Sequence, residues 1–155
     1  MASSRQKLIE DAVLTTVQAL TLTDMPAGNI TDMLDASDLD ADKAGMPRII
    51  VTHSNLTETL DPVAGTNASD DVVYPVSVYM LDRANQDQEA ASGGDKWLYW
   101  RQLIARAFHN TRLSGISECF KCVVVPMRIH DQGAWGANLW LSGLTINVHC
   151  RVARS

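Results

Sequence analysis

The sequence has no long hydrophobic run, and this excludes a membrane-spanning helix. No stretch approaches the roughly 18 consecutive apolar residues that a span requires. The first residues, MASSRQKLIEDAV, also lack the apolar core of a secretory signal peptide. We therefore expect no membrane partner and a protein that is made in a cytoplasm.

Positive charge is scarce. The 155 residues include 13 Lys+Arg against 18 Asp+Glu, which gives a net charge of −5. Proteins that bind nucleic acid sequence-specifically need an excess of cations to neutralise phosphates. This composition therefore argues against sequence-specific binding of nucleic acid. With 46% hydrophobic and 20% charged residues, the chain has the composition of one globular domain spanning residues 1–155.

Cysteine is limited to three residues, so not all of them can pair, and we expect reduced thiols. Cys119 and Cys122 have the spacing of a zinc knuckle or a redox pair, with His130, His149 and Cys150 as further ligands. However, residues three apart on a strand point to opposite faces, so the two thiols should diverge unless a tight turn intervenes. We expect no metal and no cofactor, with Cys122 and Cys150 acting as small hydrophobic core residues.

Catalytic and nucleotide-binding motifs are missing as well. The sequence has no glycine-flanked nucleophile elbow, no Walker A sequence and no G-x-G-x-x-G, and its four histidines follow no motif. We therefore expect a protein that is not an enzyme and has no catalytic residues.

The hydrophobic periodicity predicts two main helices and four strands. Apolar residues recur every three or four positions in both helices, and every second position in the clearest strands. These stripes predict an α+β fold with a four-stranded antiparallel or mixed sheet and two main helices packed on one face. The helices are expected at 4–20 and 96–110, and the strands at 48–54, 72–82, 120–128 and 144–152.

The segments between these elements are rich in Gly, Pro, Asp and Asn. They predict mobile loops near 21–45, 55–71 and 83–95, and a hairpin-like connection at 129–138. Within the second strand, Pro75 cannot donate a ladder hydrogen bond, so this strand is expected at a sheet edge or with a bulge.

Candidate contact residues follow from expected exposure. Trp97 and Trp100 lie on an apolar helix face and are expected in the core, whereas Trp135 and Trp140 flank a glycine-rich loop, where a tryptophan either folds back or anchors a partner. The outward sheet face, including Thr52 and Ser77, is polar enough for water or for a partner. The candidates for protein contact are Asp87, Glu89, Trp135, Thr145, Asn147, His149 and Arg151.

Taken together, these segments resemble the tail terminator or tail-completion proteins of long-tailed bacteriophages, within the wider neck and head–tail joining group. The resemblance covers most of the chain. It is carried by the helix from Lys7, the strands at 46–51 and 74–80, the helix at 97–104 and the closing strand at 144–152.

The resemblance implies a structural virion protein that forms a homo-oligomeric ring, a hexamer, at the head-proximal end of the tail tube. This ring would end tail growth and join the tail to the head connector. Its implied partners are further copies of itself, the tail tube protein and connector or neck proteins, with DNA passing through the lumen without specific binding. The alternatives are another neck component, such as a head-closure or adaptor protein, and a small cytoplasmic zinc- or ligand-binding domain.

Overall fold

A computed structural model describes residues 2–35, 39, 45–53, 56–63, 68–84 and 87–154. Within this part of the chain, no helix is long and apolar enough to cross a membrane. The helices are α1 (Arg5–Gln18), α2 (Asp87–Ala91), α3 (Asp95–Phe108) and α4 (Gln132–Gly136), with a 3-10 turn at Ala27–Asn29. The strands are β1 (Ile30–Asp32), β2 (Arg48–Thr52), β3 (Thr59–Pro62), β4 (Ser69–Arg83), β5 (Cys119–Pro126) and β6 (Leu139–Ala153).

The strands form one mixed sheet in the order β1-β2-β4-β6-β5, with β3 paired to the first residues of β4. Strands β1 and β2 are parallel, and the other pairs are antiparallel. The α+β class predicted from the sequence is confirmed, whereas the sheet has six strands instead of four. The two additional strands have three and four residues, which is too short for a hydrophobic period to be visible.

The centre of the sheet is a long antiparallel ladder between β4 and β6. Both strands have 15 residues, and they pair along their whole length, from Ser69 opposite Ala153 to Arg83 opposite Leu139. The even-numbered residues of both strands face the two long helices, as the period-two pattern predicted. The helix-facing side of the ladder therefore forms one wall of the core, which we call its floor.

One apolar core lies between this floor and the long helices. Trp100 and Ile104 of α3 and Ile9 and Val13 of α1 are completely buried in it. The first turn of α1 is capped by Ser4, whose Oγ accepts a hydrogen bond from the Lys7 backbone N–H at 3.2 Å. The main floor residues of this core are Val76, Val78, Met80, Leu144, Ile146, Val148 and Cys150.

Pro75 lies in a central strand, so its predicted place at an edge or bulge is wrong. On one side it pairs with Asn147 of β6, but on the other side it falls in the gap between β2 and β3, which contact β4 at residues 77–81 and 70–73. The Pro75 carbonyl accepts a hydrogen bond from Gln6 Nε2 at 2.9 Å. The missing N–H therefore interrupts no ladder.

The opposite face of the sheet is less exposed than its polar residues suggest. Thr52 and Ser77, predicted to face water, are 0% and 1% exposed. Thr52 Oγ1 donates a hydrogen bond at 3.1 Å to the carbonyl of Leu34, in the segment that follows β1. A polar side chain on a strand is thus no guarantee of solvent contact.

All four segments predicted as loops or turns contain regular structure. Residues 21–45 include the 3-10 turn and β1, residues 55–71 include β3 and the start of β4, and residues 83–95 include α2. Residues 129–138 connect the antiparallel strands β5 and β6, as the predicted hairpin-like connection does, and they contain α4. Asp131 begins α4, since its Oδ1 accepts a hydrogen bond from the Ala134 N–H at 2.9 Å. Such short helices depend on caps and tertiary contacts more than on periodicity.

Arg101 of α3 ties the helix to β6 and to Met127, which directly follows β5. The side chain is buried, and its Nη1 donates to Ser142 Oγ at 2.8 Å and to the Gly143 carbonyl at 2.6 Å. Its Nη2 donates to the Met127 carbonyl at 2.8 Å. Burial holds the pKa of Arg101 below its ordinary value, but a guanidinium stays charged at neutral pH.

We expect Arg101→Met to lower the free energy of unfolding by about 3 kcal/mol, because it leaves buried oxygen acceptors without a donor. Arg106→Met is the matched control, since Arg106 is exposed on the same helix, and should change stability by no more than about 0.5 kcal/mol. Denaturation in urea measures both values. Equal effects of the two variants would contradict a structural role for Arg101.

Candidate functional site

A pocket lined by tryptophans lies at the end of the ladder where β4 ends and β6 begins. Its volume is about 390 Å³, within the range of roughly 300–1,000 Å³ typical of ligand pockets. We call it the tryptophan pocket. It is lined by Gly93, Gly94, Trp97, Leu98, Ile129, His130, Trp135 and Trp140.

The walls of this pocket are aromatic and fixed in place. Trp97 stacks on Trp140 with ring centroids 5.0 Å apart, and Trp135 meets Trp97 edge-on at 6.2 Å. The Trp97 Nε1–H donates to the Oδ2 atom of buried Asp82 at 2.9 Å. Aromatic contacts of this kind add about 0.5–1.5 kcal/mol each beyond the area they bury, so the pocket is preformed.

Gly93 and Gly94 form the turn that places the start of α3 beside the pocket. Gly93 and Gly94 both have φ of 73°, a left-handed conformation that strains other residues. A Cβ at Gly94 would lie 2.9 Å from Trp97 Cε3, whereas a Cβ at Gly93 would meet nothing within 4 Å. Gly94 is therefore needed both for the turn and for the close approach of the Trp97 ring.

The mouth of the pocket is apolar and exposed. Ile129 is 53% exposed, Leu98 43% and Trp135 36%. His130, whose ring centroid lies 5.0 Å from that of Trp135, is the one titratable side chain among the described lining residues. The pocket can therefore bind an apolar side chain or ligand, but it offers little for proton transfer.

Trp135 and Trp140, which flank the glycine-rich loop, have different roles in the pocket. Trp140 folds back and is 2% exposed, while Trp135 stays partly exposed in α4. Trp97 and Trp100 are buried, as predicted. The sequence did not point to Leu98 or Ile129, and it suggested His130 only as a zinc ligand. The short distance in sequence from Ile129 and His130 to Trp135 was a usable signal.

Asp87 and Glu89, the predicted contact residues within the segment 83–95, lie close to the tryptophan pocket. Glu89 lies in α2, where its carbonyl accepts a hydrogen bond from Gly94 N at 2.7 Å and its Oε1 is 3.6 Å from Lys96 Nζ. Asp87 is the first residue of α2, and its side chain lies outside the described part of the chain. Glu89 and Trp135 therefore lie at the same end of the molecule.

The other predicted contact residues follow β6 toward the opposite end. Thr145, Asn147 and His149 are half-buried rather than freely exposed. Burial, together with nearby Lys121, holds the pKa of His149 below its ordinary value. Arg151 is exposed and pairs with Asp71 on the facing strand, Nε to Oδ1 at 2.8 Å. These residues do not form one site with Trp135.

The three thiols come together in the core, contrary to the predicted divergence of Cys119 and Cys122. A register shift in β5 between Cys119 and Lys121 turns both side chains inward, so their Sγ atoms lie 4.0 Å apart, and Cys150 pairs opposite Cys119. Burial raises the pKa of Cys122 and of Cys150 to about 12. Among the described residues, no group of three or more His, Cys, Asp or Glu is arranged to hold a metal ion.

We expect all three thiols to be unreactive toward Ellman's reagent in the native protein at pH 8, because all three are buried. For Cys122 and Cys150, the raised pKa also leaves little thiolate at this pH. In guanidinium chloride all three should react. Absorbance of the released thiolate measures both states. Fast reaction in the native state would mean that the cluster is accessible.

We also expect Gly94→Ala to destabilise the protein by about 2–3 kcal/mol, since it adds a steric contact with Trp97 to the strain of the left-handed backbone. Gly93→Ala, the matched control, meets no neighbour and should cost about 1 kcal/mol. Chemical denaturation compares them. Equal losses would show that the Trp97 contact adds nothing.

The tryptophan pocket thus combines a fixed aromatic wall with an exposed apolar mouth. No protein-family model matches this chain, and no curated protein matches it in sequence. The role of the pocket therefore has to be inferred from its own geometry and chemistry.

Proposed function

We propose that this chain is a structural virion protein of a tailed phage, which forms a ring at the head-proximal end of the tail tube. The ring ends tail growth and joins the tail to the head connector. One observation carries the proposal: each end of the β4–β6 ladder bears a different exposed surface. A head-to-tail ring needs two unlike, complementary patches on every subunit.

The first surface is the mouth of the tryptophan pocket. Leu98, Ile129 and Trp135 expose apolar area around a rigid aromatic wall. Monomeric proteins seldom expose a contiguous apolar cluster without a binding role, and tryptophan is enriched at the energetic centres of interfaces. This end of the subunit is suited to contact with another protein.

The second surface is β3, at the opposite end of the ladder. All four of its residues are exposed, and Leu60 is 68% exposed. In the described part of the chain, β3 pairs with β4 alone. Next to it, Asp70 and Asp71 pair with Arg154 and Arg151 across the ladder. An exposed edge strand is a surface on which other chains readily assemble.

The charge of the subunit fits a channel through which DNA passes without being held. The net charge is −5, so the ring has no excess of cations to bind phosphates and retain the DNA. In this proposal the protein acts by shape and oligomerisation, not by catalysis. Its partners are further copies of itself, in a six-fold ring, the tail tube protein and the connector or neck proteins.

Another neck component, a head-closure or adaptor protein, would use the same two surfaces and is the nearest alternative. A zinc-binding domain is less favoured, because Cys119, Cys122 and Cys150 are buried and His130 lies in the tryptophan pocket. A ligand-binding domain would use the same pocket, but as a monomer whose melting temperature rises with ligand.

Immunogold electron microscopy tests the proposed location. We expect an antibody raised against this chain to label the head–tail junction of phage particles from a lysate that contains the protein. Antibody preabsorbed with the purified chain is the control and should label nothing. Particles that remain unlabelled, while the protein is detected in the same lysate, would contradict the proposal.

A further inference from the structure

Strand β5 lies at one edge of the sheet. In the described part of the chain it pairs only with β6, so no strand lies along its other side. An uncovered edge offers backbone N–H and C=O groups to any extended chain that meets it. Residues 123–125 are all valine, a β-branched residue that favours strand pairing. The outer side of β5 would therefore be a site of strand addition if nothing covered it.

The turn that follows α3 covers part of this edge. Asn110, which has a left-handed φ of 58°, donates its N–H to the Cys122 carbonyl at 2.8 Å. The Cys122 N–H donates to the Thr111 carbonyl at 2.7 Å. The turn is anchored to α3, because Thr111 Oγ1 donates to the Phe108 carbonyl at 2.7 Å. Both outward backbone groups of Cys122 are therefore occupied.

The His109 side chain covers the next outward N–H. Along a strand, backbone groups that point to the same side recur at every second residue, so those of Val124 follow those of Cys122. The Val124 N–H donates to His109 Nδ1 at 3.1 Å. Two residues later, Pro126 has no N–H to donate. From Cys122 to Pro126, each outward N–H is therefore bonded or absent.

The bond between Val124 and His109 requires a neutral imidazole. Nδ1 can accept only while it carries no proton, so the other ring nitrogen, Nε2, holds the proton in the bonded form. A further proton, taken up from water, would make Nδ1 a donor that points at the Val124 N–H. Two donors cannot bond to each other, so the imidazole would turn away. This bond is thus sensitive to pH, whereas the bonds between the turn and Cys122 join backbone groups that do not titrate.

The charged side chains on the neighbouring elements are poor substitutes for this imidazole. Lysine and arginine side chains carry no acceptor atom. Between residues 96 and 130 the single acidic residue is Glu118, whose Oε1 lies 2.7 Å from Arg5 Nη1. On the other side of β5, His149 of β6 lies opposite Lys121. The exposed cations on α3, on the segment after it and on β5 are Arg106, Arg112 and Lys121. Loss of the imidazole therefore leaves the Val124 N–H to solvent or to another chain.

We propose that His109 is a pH-sensitive cover on the edge of β5. At neutral pH its imidazole occupies the Val124 N–H and closes the edge, and protonation in acid frees this N–H for pairing with an added strand. The inference does not depend on the proposed ring. Strand β3, which lies on the far side of β4 and β6 from β5, is exposed. At neutral pH the cover therefore confines strand pairing to that side of the subunit.

Hydrogen exchange measured by NMR tests the cover at a single amide. The protection factor, which corrects for the intrinsic effect of pH on exchange, is compared for Val124 and Cys122 at about pH 7.8 and about pH 5.8. We expect the factor of Val124 to fall roughly 5-fold on acidification, as the loss of one hydrogen bond predicts. The Cys122 N–H is the internal control and should change less than about 2-fold, because its acceptor, the Thr111 carbonyl, does not titrate.

Two variants distinguish His109 from other titratable groups. His109→Asn keeps an acceptor, since the amide Oδ1 can occupy the position of Nδ1 and does not titrate, and we expect the protection of Val124 to become independent of pH. His149→Asn is the matched control, because it removes the histidine on the neighbouring strand, and it should retain the fall seen in the parent. Equal protection of Val124 at both pH values in the parent, or a fall that persists in His109→Asn, would overturn the proposal.

Discussion

Pairing between β4 and β6 is the interaction on which the rest of the structure depends. Their 15-residue ladder supplies the floor against which both long helices bury their apolar faces, and it supports the short strands on either side. Because strands are stiff when paired, the ladder also sets the distance between the tryptophan pocket and β3. The two proposed contact surfaces are therefore held in a fixed relation, as a ring of constant geometry requires.

Strong periodicity made the centre of the fold predictable. The alternation in β6 and the helical stripe in α3 each follow from burial of one face, so their identity could be inferred from residue order alone. The predictions that were wrong concern residues whose surroundings are formed by segments distant in sequence. Pro75 is tolerated in a central strand because two neighbouring strands leave a gap beside it, and Ser77 is buried although its side chain is polar.

The candidate site was only partly predictable for the same reason. Trp135 stood out as a tryptophan in a glycine-rich loop, but its partner Leu98 comes from α3, which reaches Trp135 only in the folded chain. The predicted divergence of Cys119 and Cys122 was wrong for a local reason. A single bulge between Cys119 and Lys121 reverses the alternation, and no spacing rule anticipates a bulge.

The order in which β4 and β6 occur along the chain has a consequence for biosynthesis. Strand β6 occupies an interior position in the sheet, yet it is the last of the described elements to leave the ribosome. Until it emerges, β4 has no partner on the side that β6 will occupy, and the core lacks half of its floor. Contacts between residues so far apart in sequence also favour slow folding. Nascent chains therefore complete the core late, when β6 pairs with β4.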